Sequence, residues 1–119
     1  MYQIGHFIDG KRVAGTSGRT ANIFNPATGE IQGQVSLASE AELNAAVESA
    51  KAAQPAWAAT NPQRRARVFM KFVQLLNDNM QELAETLSRE HGKTVEDSKG
   101  DIIRGLEVCE FVIGIPHLS

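Results

Sequence analysis

Arg104 is the residue whose type and setting point most directly to chemistry. It stands in Gly100-Asp101-Ile102-Ile103-Arg104-Gly105-Leu106-Glu107, a stretch of helical spacing with an apolar face. A guanidinium against apolar surface is costly unless an anion meets it, and its planar fork of donors fits a carboxylate bidentately. The residues alone leave two readings open. Arg104 is either a surface cation paired with Asp101 or Glu107 at helical spacing, or a guanidinium that reads the carboxylate of a ligand.

The other candidates for chemistry read as scaffold. Cys109 is the only thiol, and a nucleophilic thiolate needs a neighbouring base or a positive field. It instead shares a helical face with Leu106 and Val112 and adjoins anionic Glu110, the pattern of a small apolar filler. His6, His91 and His117 have no metal-ligand spacing. Glu85, Glu90, Glu96 and Asp97 surround the turn at Gly92. A carboxylate there could join backbone carbonyls on a hard cation, or these could be solvated helix ends. Gly92-Lys93-Thr94 looks like the tail of a phosphate-binding loop, but the first glycine and the preceding strand are missing. Arg64, Arg65 and Arg67 lie in the first turns of a helix, where positive charge opposes the macrodipole. They predict either a solvated, ion-paired face or carboxylate partners elsewhere in a larger fold.

The elements that must position these residues change character near residue 38. Residues 1–37 read as strands and turns. His6-Phe7-Ile8 and Lys11-Arg12-Val13 flank Asp9-Gly10, a two-residue hairpin signal. Thr20 to Phe24 and Ile31 to Leu37 form a second pair, joined by Asn25-Pro26-Ala27-Thr28-Gly29-Glu30. From Ser39 the apolar period becomes 3.6. Ser39-Glu40-Ala41-Glu42 is a capping box, after which Leu43, Ala46, Val47 and Ala50 line one face and Trp57 closes the segment. Asn61-Pro62 starts a second helix whose apolar face is Ala66, Phe69, Phe72, Val73 and Leu76. Asn79-Met80-Gln81-Glu82 repeats the capping-box pattern for a third, carrying Leu83, Ala84 and Leu87 and ending at His91-Gly92. Thr94 caps a fourth through Ile102, Ile103, Leu106, Cys109 and Val112, ending before Pro116. Strands followed by helices, without alternation, argue an α+β arrangement.

Composition narrows the class. The 119 residues suffice for one domain, and 42% hydrophobic with 22% charged residues is ordinary for a globular chain. A net charge of -2 gives no electrostatic footprint for nucleic acid or an anionic membrane. A single cysteine excludes an intrachain disulfide, and no apolar run approaches the roughly 20 residues that span a bilayer. The expected setting is cytoplasmic, without nucleic-acid or membrane partners. Phe111 to Ser119 is apolar almost throughout, whereas undocked termini are usually polar. This ending fits a chain cut from a longer protein better than a complete one.

Taken in order, Phe7-Ile8-Asp9-Gly10, Asn25-Pro26-Ala27-Thr28-Gly29-Glu30, the Ala-rich helix ending at Trp57, Arg64-Arg65-Ala66-Arg67, and Glu85-Thr86 with Gly92-Lys93 resemble the N-terminal region of the aldehyde dehydrogenase superfamily. Gly100 to Glu107 and Gly114-Ile115-Pro116 look like the CoA-acylating methylmalonate-semialdehyde dehydrogenase branch. The resemblance implies an α/β parent with NAD-binding, catalytic and oligomerisation parts. In that parent this α+β segment is the start of the NAD-binding domain, β-hairpins over 1–37 and about four helices over 39–115. The implied parent reaction is cysteine attack on an aldehyde, hydride transfer to NAD, and release of the thioester to CoA. The nucleophile and remaining cofactor-binding sequence lie outside these residues, so neither NAD nor CoA is expected to bind the segment alone, and it is expected to be inactive alone. The resemblance also implies that Arg104 meets the substrate carboxylate and that Glu90 helps hold a structural monovalent cation with a carbonyl near Phe24. Expected partners are the small semialdehyde, the remainder of the chain and sister subunits of a homo-oligomer. Without later sequence, Phe69, Phe72 and Leu76 are expected to lack cover. The alternative is a stand-alone, non-catalytic helical interaction module derived from such an enzyme.

Overall fold

The Asp9-Gly10 turn folds as its residues dictate. Both adopt positive φ, 53° and 72°, and close a hairpin of β2 (His6–Ile8) with β3 (Lys11–Val13), His6 facing Val13. β4 (Thr20–Phe24) and β5 (Ile31–Ser36) pair antiparallel, with a register irregularity at Ile23 and Phe24. β1 (Tyr2–Ile4) then adds on the far side of β5, in parallel, with Tyr2 opposite Gly33. Gly33 is required there. A Cβ at this position would lie 2.6 Å from the Tyr2 ring.

The computed structural model describes residues 1–118 and divides into two compact units, Met1–Ala58 and Ala59–Ser119. The first holds the three-stranded sheet β1-β5-β4, the ribbon β2-β3 and nearly all of α1 (Glu40–Ala59). The capping box forms in full: Glu42 N–H donates to Ser39 Oγ at 3.1 Å, and Ser39 N–H donates to Glu42 Oε1 at 3.0 Å. The expected apolar face of α1 finds no cover, however. No residue of this helix is buried, and Leu43 and Val47 are more than half exposed. Periodicity marks which face needs a partner without supplying one.

The second unit comprises α2 (Pro62–Asp78), α3 (Met80–His91), α4 (Val95–Ile113) and a short 3-10 turn, η1 (Ile115–Leu118). α4 packs against both α2 and α3. Its small core is Ala66, Ala84, Ser98 and Leu106, the buried residues of this unit among those described. Phe69, Val73 and Leu76 are half-buried, so the expected α2 face turns inward, whereas Phe72 lies off that stripe and is 45% exposed. Val68, Phe72 and Leu75 form a second, uncovered apolar stripe on the same helix.

Helix ends follow local chemistry, with one departure. Asn61 Oδ1 accepts from Gln63 N–H at 2.8 Å, with Pro62 at the first helical position. Thr94 Oγ1 accepts from Asp97 N–H at 3.1 Å. Gly92 closes α3 in the left-handed region, φ 91°. At Asn79 the expected capping box does not form. Its amide instead donates back to Leu75 O at 2.8 Å, serving the end of α2 rather than the start of α3.

Candidate functional site

The segment that links α3 to α4 assembles the one charged cluster that includes Arg104. Gly92 N–H donates to Ser88 O at 2.8 Å, and the left-handed turn then swings Lys93 back toward α4. Ser88 Oγ donates to Lys93 O at 2.6 Å, which fixes the Lys93 backbone before Thr94 caps the next helix. From there the Lys93 ammonium pairs with Asp101 Oδ2 on α4. Asp101 Oδ1 accepts from Arg104 Nη1 at 3.1 Å, one turn further along the helix.

The three side chains are graded in exposure. Lys93 is 24% exposed, Asp101 40% and Arg104 79%. The Lys93 hydrogen bond holds the Asp101 carboxyl below the usual aspartate range. Desolvation comes next and opposes it, and the charges of Lys93, Arg104 and His91 each add a smaller lowering effect. Asp101 is therefore an anion at neutral pH, flanked by two cations. Arg104 spends one donor on it and presents the rest of its guanidinium outward.

Sequence reasoning identified Arg104 and its Asp101 partner at helical spacing, and the geometry retains both open readings: the pairing leaves the outer edge of the guanidinium unused. Lys93 is what the sequence did not reveal. Its link to Asp101 crosses the turn between two helices, so no single helical period carries it. The carboxylates around Gly92 do not converge. Glu85 accepts from Gln81 at 2.8 Å, Glu96 pairs with Lys99 at 3.5 Å, and Glu90 is exposed. Among the described residues no three His, Cys, Asp or Glu side chains gather where they could hold a metal ion. Cys109 is half-buried on α4. Arg65 is half-buried, with Nε buried and lacking a hydrogen-bond partner.

The first unit holds a second polar knot around Glu42. Besides capping α1, its Oε2 accepts from Thr16 N–H at 3.1 Å and faces His6 Nε2 at 3.4 Å, without the alignment of a hydrogen bond. The Ser39 and Thr16 N–H groups, in that order, hold the Glu42 carboxyl below the usual glutamate range. One carboxylate thus fastens the β2-β3 ribbon, the loop after it and the start of α1. Nearby, an open cleft of about 720 Å³ is lined by Gln3, Ile4, His6, Arg12 and Gly15 among others. It gathers no set of groups suited to catalysis. No helix among the described residues is long and apolar enough to cross a membrane.

Comparison with known proteins adds a family context. The model of the aldehyde dehydrogenase family matches residues 13–118. The mitochondrial methylmalonate-semialdehyde/malonate-semialdehyde dehydrogenase (acylating) of Mus musculus is 44% identical over 112 residues, 94% of this chain and 21% of that protein. The malonate-semialdehyde dehydrogenase of Pseudomonas aeruginosa is 42% identical over 118 residues, 99% of this chain and 24% of that protein. A crystal structure from Sinorhizobium meliloti 1021, named for methylmalonate-semialdehyde dehydrogenase and complexed with NAD, superposes with a TM-score of 0.97 at 86% identity. It is covered by 99% of this chain, which spans 24% of it. The chain therefore spans about a quarter of the length of the relatives it matches.

Proposed function

The chain belongs to the aldehyde dehydrogenase family, and from that premise we propose that it is the N-terminal segment of an NAD-dependent, CoA-acylating methylmalonate- or malonate-semialdehyde dehydrogenase. The observation that carries the reading is the match to relatives named for that activity across 94% to 99% of the chain. Arg104 supports the same assignment, because a semialdehyde acid needs a fixed anchor that holds its carbonyl at attack distance. An exposed guanidinium with unused donors suits that task.

In this reading the segment supplies the carboxylate anchor and scaffold, while the rest of the enzyme supplies the cysteine, the NAD site and the CoA site. Cys109 is assigned no part in the chemistry, and it sits half-buried on α4. Glu90 is the residue offered to a structural monovalent cation, but among the described residues it joins no group of three acidic, His or Cys side chains.

The test joins residues 1–119 to the remainder of the 86% identical relative. Arg104→Ala in that enzyme is expected to raise KM for malonate semialdehyde about 10- to 100-fold, the loss of a charge-assisted contact worth roughly 1.5–3 kcal/mol, and to affect propanal far less. Equal effects on both aldehydes would make Arg104 structural. The 119 residues alone are expected to show no aldehyde oxidation at any NAD and CoA concentration, and measurable turnover would overturn the segment reading. The second reading, a non-catalytic interaction module, draws on the uncovered apolar faces of α1 and α2. Its mark would be saturable binding of the isolated chain to intact enzyme subunits.

A further inference from the structure

We propose that Asp101 and Lys93 are positioning residues for Arg104, holding its guanidinium with one edge free for the carboxylate of a semialdehyde acid. The inference rests on the reading of Arg104 given above and adds how that anchor is held.

An arginine side chain 79% exposed would ordinarily wander among rotamers, and a substrate that had to freeze it would bind more weakly for that reason. Asp101 removes much of this freedom beforehand. It lies one turn toward the N-terminus on the same helix and takes Nη1 at 3.1 Å. The Nε–Nη2 edge, which is geometrically suited to a bidentate carboxylate, stays open.

A carboxylate so close to an anion-binding arginine has a cost, because it repels the same substrate. Lys93 answers that cost. Its ammonium occupies the other Asp101 oxygen, so the three side chains together carry a net single positive charge. Lys93 and Asp101 are less exposed than Arg104, and their pairing is correspondingly less screened by solvent and salt. The backbone of Lys93 is itself anchored. The Lys93 carbonyl is held by Ser88 Oγ at 2.6 Å, between the left-handed Gly92 and the Thr94 cap. Two helix ends thus fix the orientation of one exposed guanidinium. A plain helix-tying ion pair would not need its second oxygen aimed at Arg104.

The experiment uses the same full-length chimera with Asp101→Asn, Asp101→Glu, Lys93→Met and Arg104→Ala, each checked for folding by its melting temperature. The quantity read is kcat/KM for malonate semialdehyde divided by kcat/KM for propanal. Asp101→Asn is expected to lower this ratio about tenfold, because misplacing a substrate-orienting group by an ångström costs one to two orders of magnitude. Asp101→Glu is expected to recover most of the loss. Lys93→Met is expected to lower the ratio about threefold, because it frees the Asp101 carboxylate that holds Arg104. A ratio within twofold of the parent for both Asp101→Asn and Lys93→Met overturns the proposal. A ratio that rises on Asp101→Asn overturns it too, since Asp101 would then act only as repulsion. If Arg104→Ala lowers the ratio while the other two leave it alone, the positioning role fails and the anchor stands. If Arg104→Ala leaves the ratio unchanged, both fall.

Discussion

Replacing Gly92 by alanine is expected to destabilise the helical unit by about 1 kcal/mol. Gly92 has φ 91°, beyond the left-handed well near 60° that L-residues reach at a cost of roughly 1–2 kcal/mol. The upper half of that range applies, because a Cβ here must either strain or pull the turn closed. Alanine returns about 0.4–1 kcal/mol by restricting the unfolded chain, which leaves a net loss near 1 kcal/mol. The Gly92 N–H bond to Ser88 O survives the substitution and offers no further loss. For a unit of this size such a loss lowers the melting temperature by about 4–8 °C. Circular dichroism at 222 nm, melted alongside Gly92→Asn, checks the argument. Asparagine tolerates left-handed backbone, so stability is expected to fall in the order Gly, Asn, Ala. Alanine melting at or above the parent would refute the reasoning, because it would mean that the turn relaxes without strain.

Two further outcomes follow from the first unit. Glu42 has its folded pKa depressed from an ordinary 4.5, so the stability it contributes is full above that value and is lost as pH falls through the depressed one. Glu42→Gln is therefore expected to flatten the acid limb of an unfolding profile followed between neutral pH and pH 3, and an unchanged limb would count against it. Leu43→Ser and Val47→Ser, on the uncovered face of α1, are each expected to shift stability by no more than about 0.5 kcal/mol in the 119-residue chain. Urea denaturation measures this, and a loss of 2 kcal/mol or more would mean that the face is covered.

What the sequence made legible was local. Asp9-Gly10, the Ser39 box, Asn61-Pro62, Gly92 and Thr94 each act within four residues, and each stands where its chemistry predicts. Where two local uses competed, the pattern misled: the Asn79 amide reaches back to Leu75 O instead of forward into α3. Where a partner lay far along the chain, the pattern fell silent. Tyr2–Ile4 is too short to announce itself as a strand, and its pairing is with β5. The Leu43, Ala46, Val47 and Ala50 face was read correctly as apolar, but its covering surface is not encoded in the helix. The site divides along the same line. The Asp101–Arg104 pair follows helical spacing, whereas the Lys93–Asp101 link depends on the path of the Gly92 turn.

The parallel docking of β1 on β5 has a consequence for synthesis. Its paired residues are 31 apart, Gln3 meeting Gln34, and a parallel pair cannot be closed by a tight turn. On a translating ribosome β1 is made before β5 and waits for it. At roughly 5–20 residues per second the wait is about 2–6 s before a partner strand is made, and longer before it clears the exit tunnel. The β2-β3 hairpin closes meanwhile over a short loop. β1 is thus made before its partner and is paired no earlier than β5. For those seconds Tyr2–Ile4 is an unpaired segment open to a chaperone or a neighbouring nascent chain.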